Sequence, residues 1–280
     1  MSRPEQPERT IEAVGFTMFM KALRENLEST GMPSCVSVNE RKVLKQIARS
    51  LSGNPVIVDL GSGCGSTALA MAEGNPSAQI HCYDWFRPEH PFAAPRLSDA
   101  YLLDFQADSP RLSIHKGDLC QKKWNRGPID LIHVDVCKDI RLFDHVQKEF
   151  LPQLRTGSYL IHQDFSQARL PWIHWWCGCR ANCLKPLMRI HSSVVYRVTK
   201  RPGPCHPRTI SQKKAKARHG IACAAKAYAH RADHFSALPE LVDIYIDYIF
   251  GNKAKARQRM SLGRLKFQKH YRNMVLEIEQ

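Results

Sequence analysis

The chain has 280 residues, of which 43% are hydrophobic, and carries a formal net charge of +15. That length and apolar content allow one substantial α/β domain plus an appendage, or two small domains, and exclude a chain too short to bury a core. No stretch approaches the ~20 apolar residues of a membrane span. Met1 to Arg9 is polar and the apolar run Val14–Met20 is short and followed by Lys21 and Arg24, so no signal peptide is expected.

The charge is uneven. Residues 201–280 hold 16 Lys and Arg against 6 Asp and Glu, a balance of +10, whereas the first 200 residues carry only +5. A basic tail on a nearly balanced body implies either contact with an anionic partner (nucleic acid, a phosphorylated carrier, lipid headgroups) or a solvated helical face. The ten cysteines follow no disulfide-framework spacing, which predicts thiols in a reducing compartment and a cytoplasmic protein. Cys177, Cys179 and Cys183 form a C-x-C-x₃-C run that does not match structural zinc spacing.

Taken in order, Thr10 to Leu27 has helical apolar spacing and predicts an N-terminal helix within residues 1–29. Asn39 is placed to cap a second helix, Glu40 to Leu51. Val56 to Leu60 is a buried strand running into Gly61-Ser62-Gly63-Cys64-Gly65. Behind that turn, Ser66-Thr67 is positioned to cap a helix of small apolar residues. A strand, a tight glycine turn and a helix N-terminus bring free N–H groups together at a ligand.

Ala78–Asp84 reads as the second strand. Its terminal acid follows Gly65 at about the 20-residue offset at which a carboxylate meets a ribose diol. A Pro-rich loop, Phe86 to Pro95, is either a substrate rim or a surface connection. A helix over Leu97–Phe105 leads to a third strand at Leu112–His115 and then Gly117-Asp118-Leu119. Ile129–Asp135 is a fourth strand, and a helix from Ile140 to Leu154 is stopped by Arg155-Thr156-Gly157. Ser158–His162 is the fifth strand, closed by Gln163-Asp164.

A helix is expected over Leu170–Leu187, carrying Trp172, Trp175 and Trp176, and a last strand over Ser192–Thr199. The run Arg201 to Pro207 is a linker by composition, followed by helices at Ile221–Phe235, Leu238–Phe250 and Lys253–Ile278. The apolar run Leu241–Phe250 packs either on the main domain or on a second subunit of a homo-oligomer. The division is therefore an N-terminal helix (1–29), a main domain (30–202) and a basic helical extension (203–280).

Alternating strands and helices imply a doubly wound, mostly parallel α/β sheet that binds ligands outside the C-terminal ends of its strands. Asp59, Asp84, Asp135 and Asp164 all fall at such ends, and that recurrence is the strongest internal sign of a site. His162 precedes Gln163 and is either a base facing a substrate or a packed core residue; His133 reads as core.

The combination of VDLGSGCGSTALAMA with CYDWF, KGDL and IDLIHVD resembles the class I S-adenosylmethionine-dependent methyltransferases over roughly residues 30–200. The run from Leu131 to Phe165 is similar to their catechol-, macrolide- and cephalosporin-type O-methyltransferase branch. The resemblance implies a Rossmann-like seven-stranded sheet and O-methylation of a hydroxyl on a small molecule, sugar, glycan or natural product. It assigns Asp59, Gly61, Gly63 and Gly65 to the methionine part of the donor, Asp84 to the ribose and Asp118 to the adenine, with Asp135 at the same site. It also implies a divalent cation such as Mg²⁺ on Asp135, Gln163 and Asp164, the amide and acid standing in reversed order. Lys138 falls at the position of a general base, with a pKa lowered by the cation; otherwise it is a surface lysine at a helix start. Two rivals remain: methylation of RNA through the basic tail, and a catalytically silent partner protein using the same fold.

Overall fold

The structure is a computed structural model and describes residues 36–63, 65–85, 111–203, 205–226 and 236–263. The expected helices at Thr10–Leu27 and Leu97–Phe105, the loop Phe86–Pro95 and the end of the tail lie outside the described residues. The elements are α1 (Val38–Arg49), β1 (Val56–Leu60), α2 (Ser66–Gly74), β2 (Gln79–Asp84), β3 (Leu112–Lys116), β4 (Ile129–Val134), α3 (Ile140–Glu149), β5 (Leu154–His162), α4 (Pro171–Cys179), β6 (Leu184–Ile190), β7 (Ser193–Val198), α5 (Ile210–Lys226) and α6 (Leu238–Phe250). Residues 253–263 are also helical.

The strands form one seven-stranded sheet in the order β3-β2-β1-β4-β5-β7-β6. The first five are mutually parallel, β7 runs antiparallel to β5, and β6 antiparallel to β7. Because side chains alternate along a strand, each central strand feeds two cores. Ile57, Leu131, Ile161 and Val195 pack on one face under α1 and α2. Val58, Leu60, Ile132, Val134 and Leu160 pack on the other under α3, α4, α5 and α6. The C-terminal helices thus share a core with the sheet. Among the described residues no helix is long and apolar enough to cross a membrane.

Several boundaries differ from the sequence expectation. The cap of α1 is Ser37, not Asn39: its hydroxyl accepts from Glu40 N at 3.2 Å while Glu40 Oε2 accepts from Ser37 N at 3.1 Å, a reciprocal capping box. Ser66 and Thr67 do not cap α2; Gly65 holds that position in the left-handed region, and Thr67 turns inward instead. Arg155-Thr156-Gly157 does not stop α3 but opens β5, where Gly157 (φ +92°) sits at the register shift opposite Ile129–Leu131. The helix read through Leu187 ends at Cys179, and the residues beyond form edge strand β6, where Pro186 is tolerated beside another register shift.

The largest displacement is in α5, which begins at Ile210 rather than Ile221. Gly220 is interior to the helix because α4 crosses there. A Cβ on Gly220 would overlap the His174 carbonyl, and one on Gly178 would overlap the Lys216 carbonyl. The same packing brings Cys179 beside Cys205, Cα atoms 6.3 Å apart, and the two form a disulfide. That corrects the expectation of thiols throughout, although Cys82, Cys120, Cys137, Cys177, Cys183 and Cys223 are free.

The tail's charge is partly absorbed inside the fold. Asp243 and Asp247 lie on the buried face of α6. Arg218 Nε donates to Asp243 at 2.9 Å, Lys214 to Asp247 at 2.5 Å, and Arg259 to Asp247 at 3.0 Å. Lys216, Lys226, Lys253, Lys255 and Arg257 remain exposed.

Candidate active site

The C-terminal edge of the parallel strands carries two groups of residues. On the β1–β2 side the glycine turn is held by main-chain bonds: Gly61 N donates to Tyr83 O at 2.8 Å, and Gly65 N to Ser62 O at 2.7 Å. Gly61, Gly63 and Gly65 have φ of +88°, +50° and +81°. For Gly61 the requirement is also steric, since a Cβ would stand 2.9 Å from Asp135 O and from Val136 Cγ1. Among the described residues nothing lies within 4 Å of such an atom on Gly63. Asp84 Oδ2 accepts from Gly63 N at 2.9 Å, joining the end of β2 to the turn.

Asp59 lies beneath the turn rather than on it. It is fully buried, with Oδ2 accepting from Thr67 Oγ1 at 2.6 Å and Oδ1 2.8 Å from His133 Nδ1. Burial by itself would lower the His133 pKa, but the bond to Asp59 outweighs it and the net shift is upward. His133 was expected as core; its partnership with Asp59, across 74 residues, has no local sequence signal. Asp118 caps the short turn Leu119–Gln121 by accepting from Cys120 N at 2.9 Å, with Arg141 of α3 at 4.0 Å.

On the β4–β5 side, Asp135 follows β4 and Asp164 follows β5. Asp164 is a non-glycine residue at φ +60°, an uncommon conformation that marks sites where geometry is held by its surroundings. Between them lies Lys138, whose ammonium is 2.6 Å from Asp135 Oδ1 and also bonds Asp164 Oδ2. Burial lowers the lysine pKa, yet the two carboxylates more than offset it and hold Lys138 above its ordinary value. In this arrangement Lys138 is a charged donor to both carboxylates. Asp135 is shifted upward, chiefly by burial, against the pull of Lys138.

The turn bearing Lys138 is fixed from below. Trp172 Nε1 donates to Cys137 O at 2.9 Å, Lys138 N to Val136 O at 2.7 Å, and Asp139 caps α3 by accepting from Leu142 N at 2.9 Å. Trp172, Trp175 and Trp176 are buried in the core beneath this turn.

Two other expected site residues are elsewhere engaged. His162 is completely buried on the α3 face, its ring stacked 6.4 Å from Phe143, and burial pushes its pKa to about 4. Of its two readings, a base facing a substrate or a packed core residue, this burial supports the second. Gln163 points to the opposite face of the sheet: its Nε2 donates to Ser192 Oγ at 2.9 Å, and its Oε1 accepts from Ser193. Ser193 Oγ also lies 2.8 Å from Glu40 Oε1, so this amide belongs to a buried network under α1.

That geometry decides the fit of a divalent cation. Magnesium asks for several converging oxygen donors. Here the amide is turned away and an ammonium bridges the two carboxylates. Among the described residues no group of three or more His, Cys, Asp or Glu is arranged to hold a metal ion. The residues present do not fit Mg²⁺. A cavity of about 470 Å³ lined by residues including Lys185, Thr199, Cys223 and Lys226 lies at the opposite edge of the sheet, because β7 runs antiparallel to β5.

Comparison with known proteins identifies the family. Residues 6–150 match the model of a family described as the O-methyltransferase domain. No curated protein matches the chain. Among solved structures, the chain is similar to the O-methyltransferase NovP, at 11% identity over 68% of this chain and 100% of that one, with a TM-score of 0.49. It is also similar to the Podospora anserina methyltransferase PaMTH1, solved with S-adenosylhomocysteine, at 19% identity over 71% and 99%, with a TM-score of 0.44. The family match spans more than half of the chain, which belongs to the O-methyltransferase domain family of S-adenosylmethionine-dependent enzymes.

Proposed function

We propose that this enzyme methylates a hydroxyl of a sugar, glycan or natural product, with the donor over the glycine turn and the acceptor oxygen at Asp135, Lys138 and Asp164. The observation that carries the reading is the placement of that charged group across from Gly61–Gly65, with Gly61 in contact with the residue after β4. Gly61, Gly63 and Gly65 let the chain pass close to a donor that has no pyrophosphate to cradle. Asp84 serves the ribose hydroxyls and Asp118 the adenine, while Asp59 supports the turn through Thr67 and His133.

Methyl transfer is an in-line displacement in which the acceptor oxygen supplies the electron pair for the new O–C bond. The S–C pair stays on sulfur, leaving a neutral thioether. Most of the rate enhancement comes from holding donor and acceptor in near-attack geometry. A carboxylate oxygen of Asp135 or Asp164 receives the hydroxyl proton.

Calorimetry with S-adenosylmethionine tests the donor half. Binding is expected, and Asp84→Ala weakens it by about tenfold, the loss of one charge-assisted contact. Undetectable binding, or binding indifferent to Asp84→Ala, sinks this assignment. A methyl-transfer panel of sugars, glycosides and phenols, with RNA alongside, tests the acceptor half. The exposed lysines of the tail keep RNA as the second reading, for which steep salt dependence of binding is the signature.

A further inference from the structure

Lys138 stands where the catechol-type resemblance calls for a metal. Its ammonium joins Asp135 and Asp164, the two carboxylates that approach from neighbouring strands β4 and β5. The third expected ligand, Gln163, is buried in the Ser192–Ser193–Glu40 network on the other face of the sheet and does not turn toward the pair. The lysine is held by the chain itself. Its turn is pinned by Trp172 at Cys137 O, and the following residue caps α3.

We propose that the Lys138 ammonium is the permanent cation of the acceptor site, a built-in replacement for a divalent metal. The inference rests on the methyltransferase reading and adds to it how the acceptor is held. An ammonium has three N–H donors. Two are directed to Asp135 and Asp164; the third is available to one acceptor oxygen, and the side chain is 51% exposed. That N–H orients the hydroxyl and stabilises the negative charge that develops on it as the proton leaves, the electrostatic task otherwise given to a metal. In the balanced step the acceptor lone pair forms the O–CH₃ bond and the S–CH₃ pair remains on sulfur. The proton passes to the Asp135 oxygen not held by Lys138, and from there to water. A divalent ion entering the same place must first separate an ammonium from both carboxylates, so the lysine and the metal exclude one another.

The test uses the full chain, cleared of metal with a chelator. Mn²⁺ binding is followed by electron paramagnetic resonance and Mg²⁺ binding by calorimetry, with donor binding measured on the same samples. The wild type is expected to show no saturable site at about millimolar cation. Lys138→Ala, and independently Lys138→Met, release the carboxylate pair and are expected to bind Mn²⁺ at least about tenfold more tightly than wild type, a gain that Asp164→Asn removes. Donor affinity is expected to stay within about threefold in the Lys138 and Asp164 variants, since the glycine turn meets the pair only at the Asp135 main chain, which these changes leave in place. A saturable Mg²⁺ or Mn²⁺ site in the wild type, lost in Asp135→Asn, overturns the proposal. So does a Lys138→Ala protein that folds and binds cation no better than wild type. Loss of donor binding in the wild type, by contrast, strikes the methyltransferase reading and leaves the cation result standing.

Discussion

On the β1–β2 side of the sheet edge the protein presents main chain: Gly61, Gly63 and Gly65 with positive φ, carbonyl and amide partners, and one carboxylate bonded to Gly63 N. On the β4–β5 side it presents charge: an ammonium between two carboxylates, one of them on a residue at φ +60°. The first surface is specified by shape, so it tolerates changes in charge nearby and fails when bulk is added. The second is specified by electrostatics, so it fails when one charge is neutralised although nothing moves. A donor with fixed form suits the first, and a proton-losing acceptor suits the second.

The largest expected effect separates the two sides. Asp164→Asn preserves volume and removes one of the two charges that hold Lys138 at the acceptor, and turnover is expected to fall by roughly 10²–10³-fold, as for the loss of other positioned electrostatic contacts to a developing oxyanion. Donor Kd, measured by calorimetry, stays within about threefold. A donor Kd that moves in parallel with turnover would show that the two surfaces are one.

Gly61→Ala is the change that breaks both at once, because its Cβ would press on Asp135 O and Val136 while the backbone is held at φ +88°. Stability is expected to fall by about 2–3 kcal/mol, and donor affinity with it. Gly63→Ala has space around the added atom and loses only about 1 kcal/mol, the left-handed cost. Denaturant melts of the two variants compare them directly, and equal losses would remove the steric argument.

Protonation probes the scaffold beneath these surfaces. His174 and His81 are buried, and their pKa values are pushed down to about 4, in each case first by burial. The unfolded chain, with histidine near 6.5, takes up protons before the folded one does. Stability from these groups is therefore full above about pH 6.5 and is lost as the pH falls toward 4, on the order of 2–3 kcal/mol for His174. His133 acts in the opposite sense. Its raised pKa makes the pairing with Asp59 fully stabilising below about 6.5 and weaker as the pH rises through the folded value. Melting temperature against pH is expected to pass through a maximum near neutrality, and Asp59→Asn to remove the alkaline limb. A flat profile contradicts both assignments.

The smallest effect should lie away from both surfaces. Arg259→Ala leaves Asp247 still paired with Lys214, and the loss is about 1 kcal/mol. Turnover and donor affinity are expected to be unchanged, and a change in either would connect the C-terminal helices to the chemistry.

What could be read without coordinates followed from local periodicity. Alternating apolar strands, glycines at the end of β1 and acids after β2, β4 and β5 are patterns of a few residues, and they specify a parallel sheet with a site at one edge. Ser37-x-x-Glu40 was equally local and could have been recognised as the cap. Gly220 could not have been placed inside α5, since its reason is a helix 40 residues upstream that crosses there. The tail's basic residues could be counted, but which of them face Asp243 and Asp247 could not.

The sequence by itself determined the sheet, the glycine turn and the set of acids, because each depends on neighbours within one element or its connection. Tertiary structure alone decided what those acids do. It placed Asp59 on His133 beneath the turn, buried His162, turned Gln163 toward Ser192 and Ser193, and set Lys138 between Asp135 and Asp164. Each of those outcomes depends on which face of a strand a side chain takes and on partners from distant segments. Burial and charge at such contacts exist only once the chain has folded.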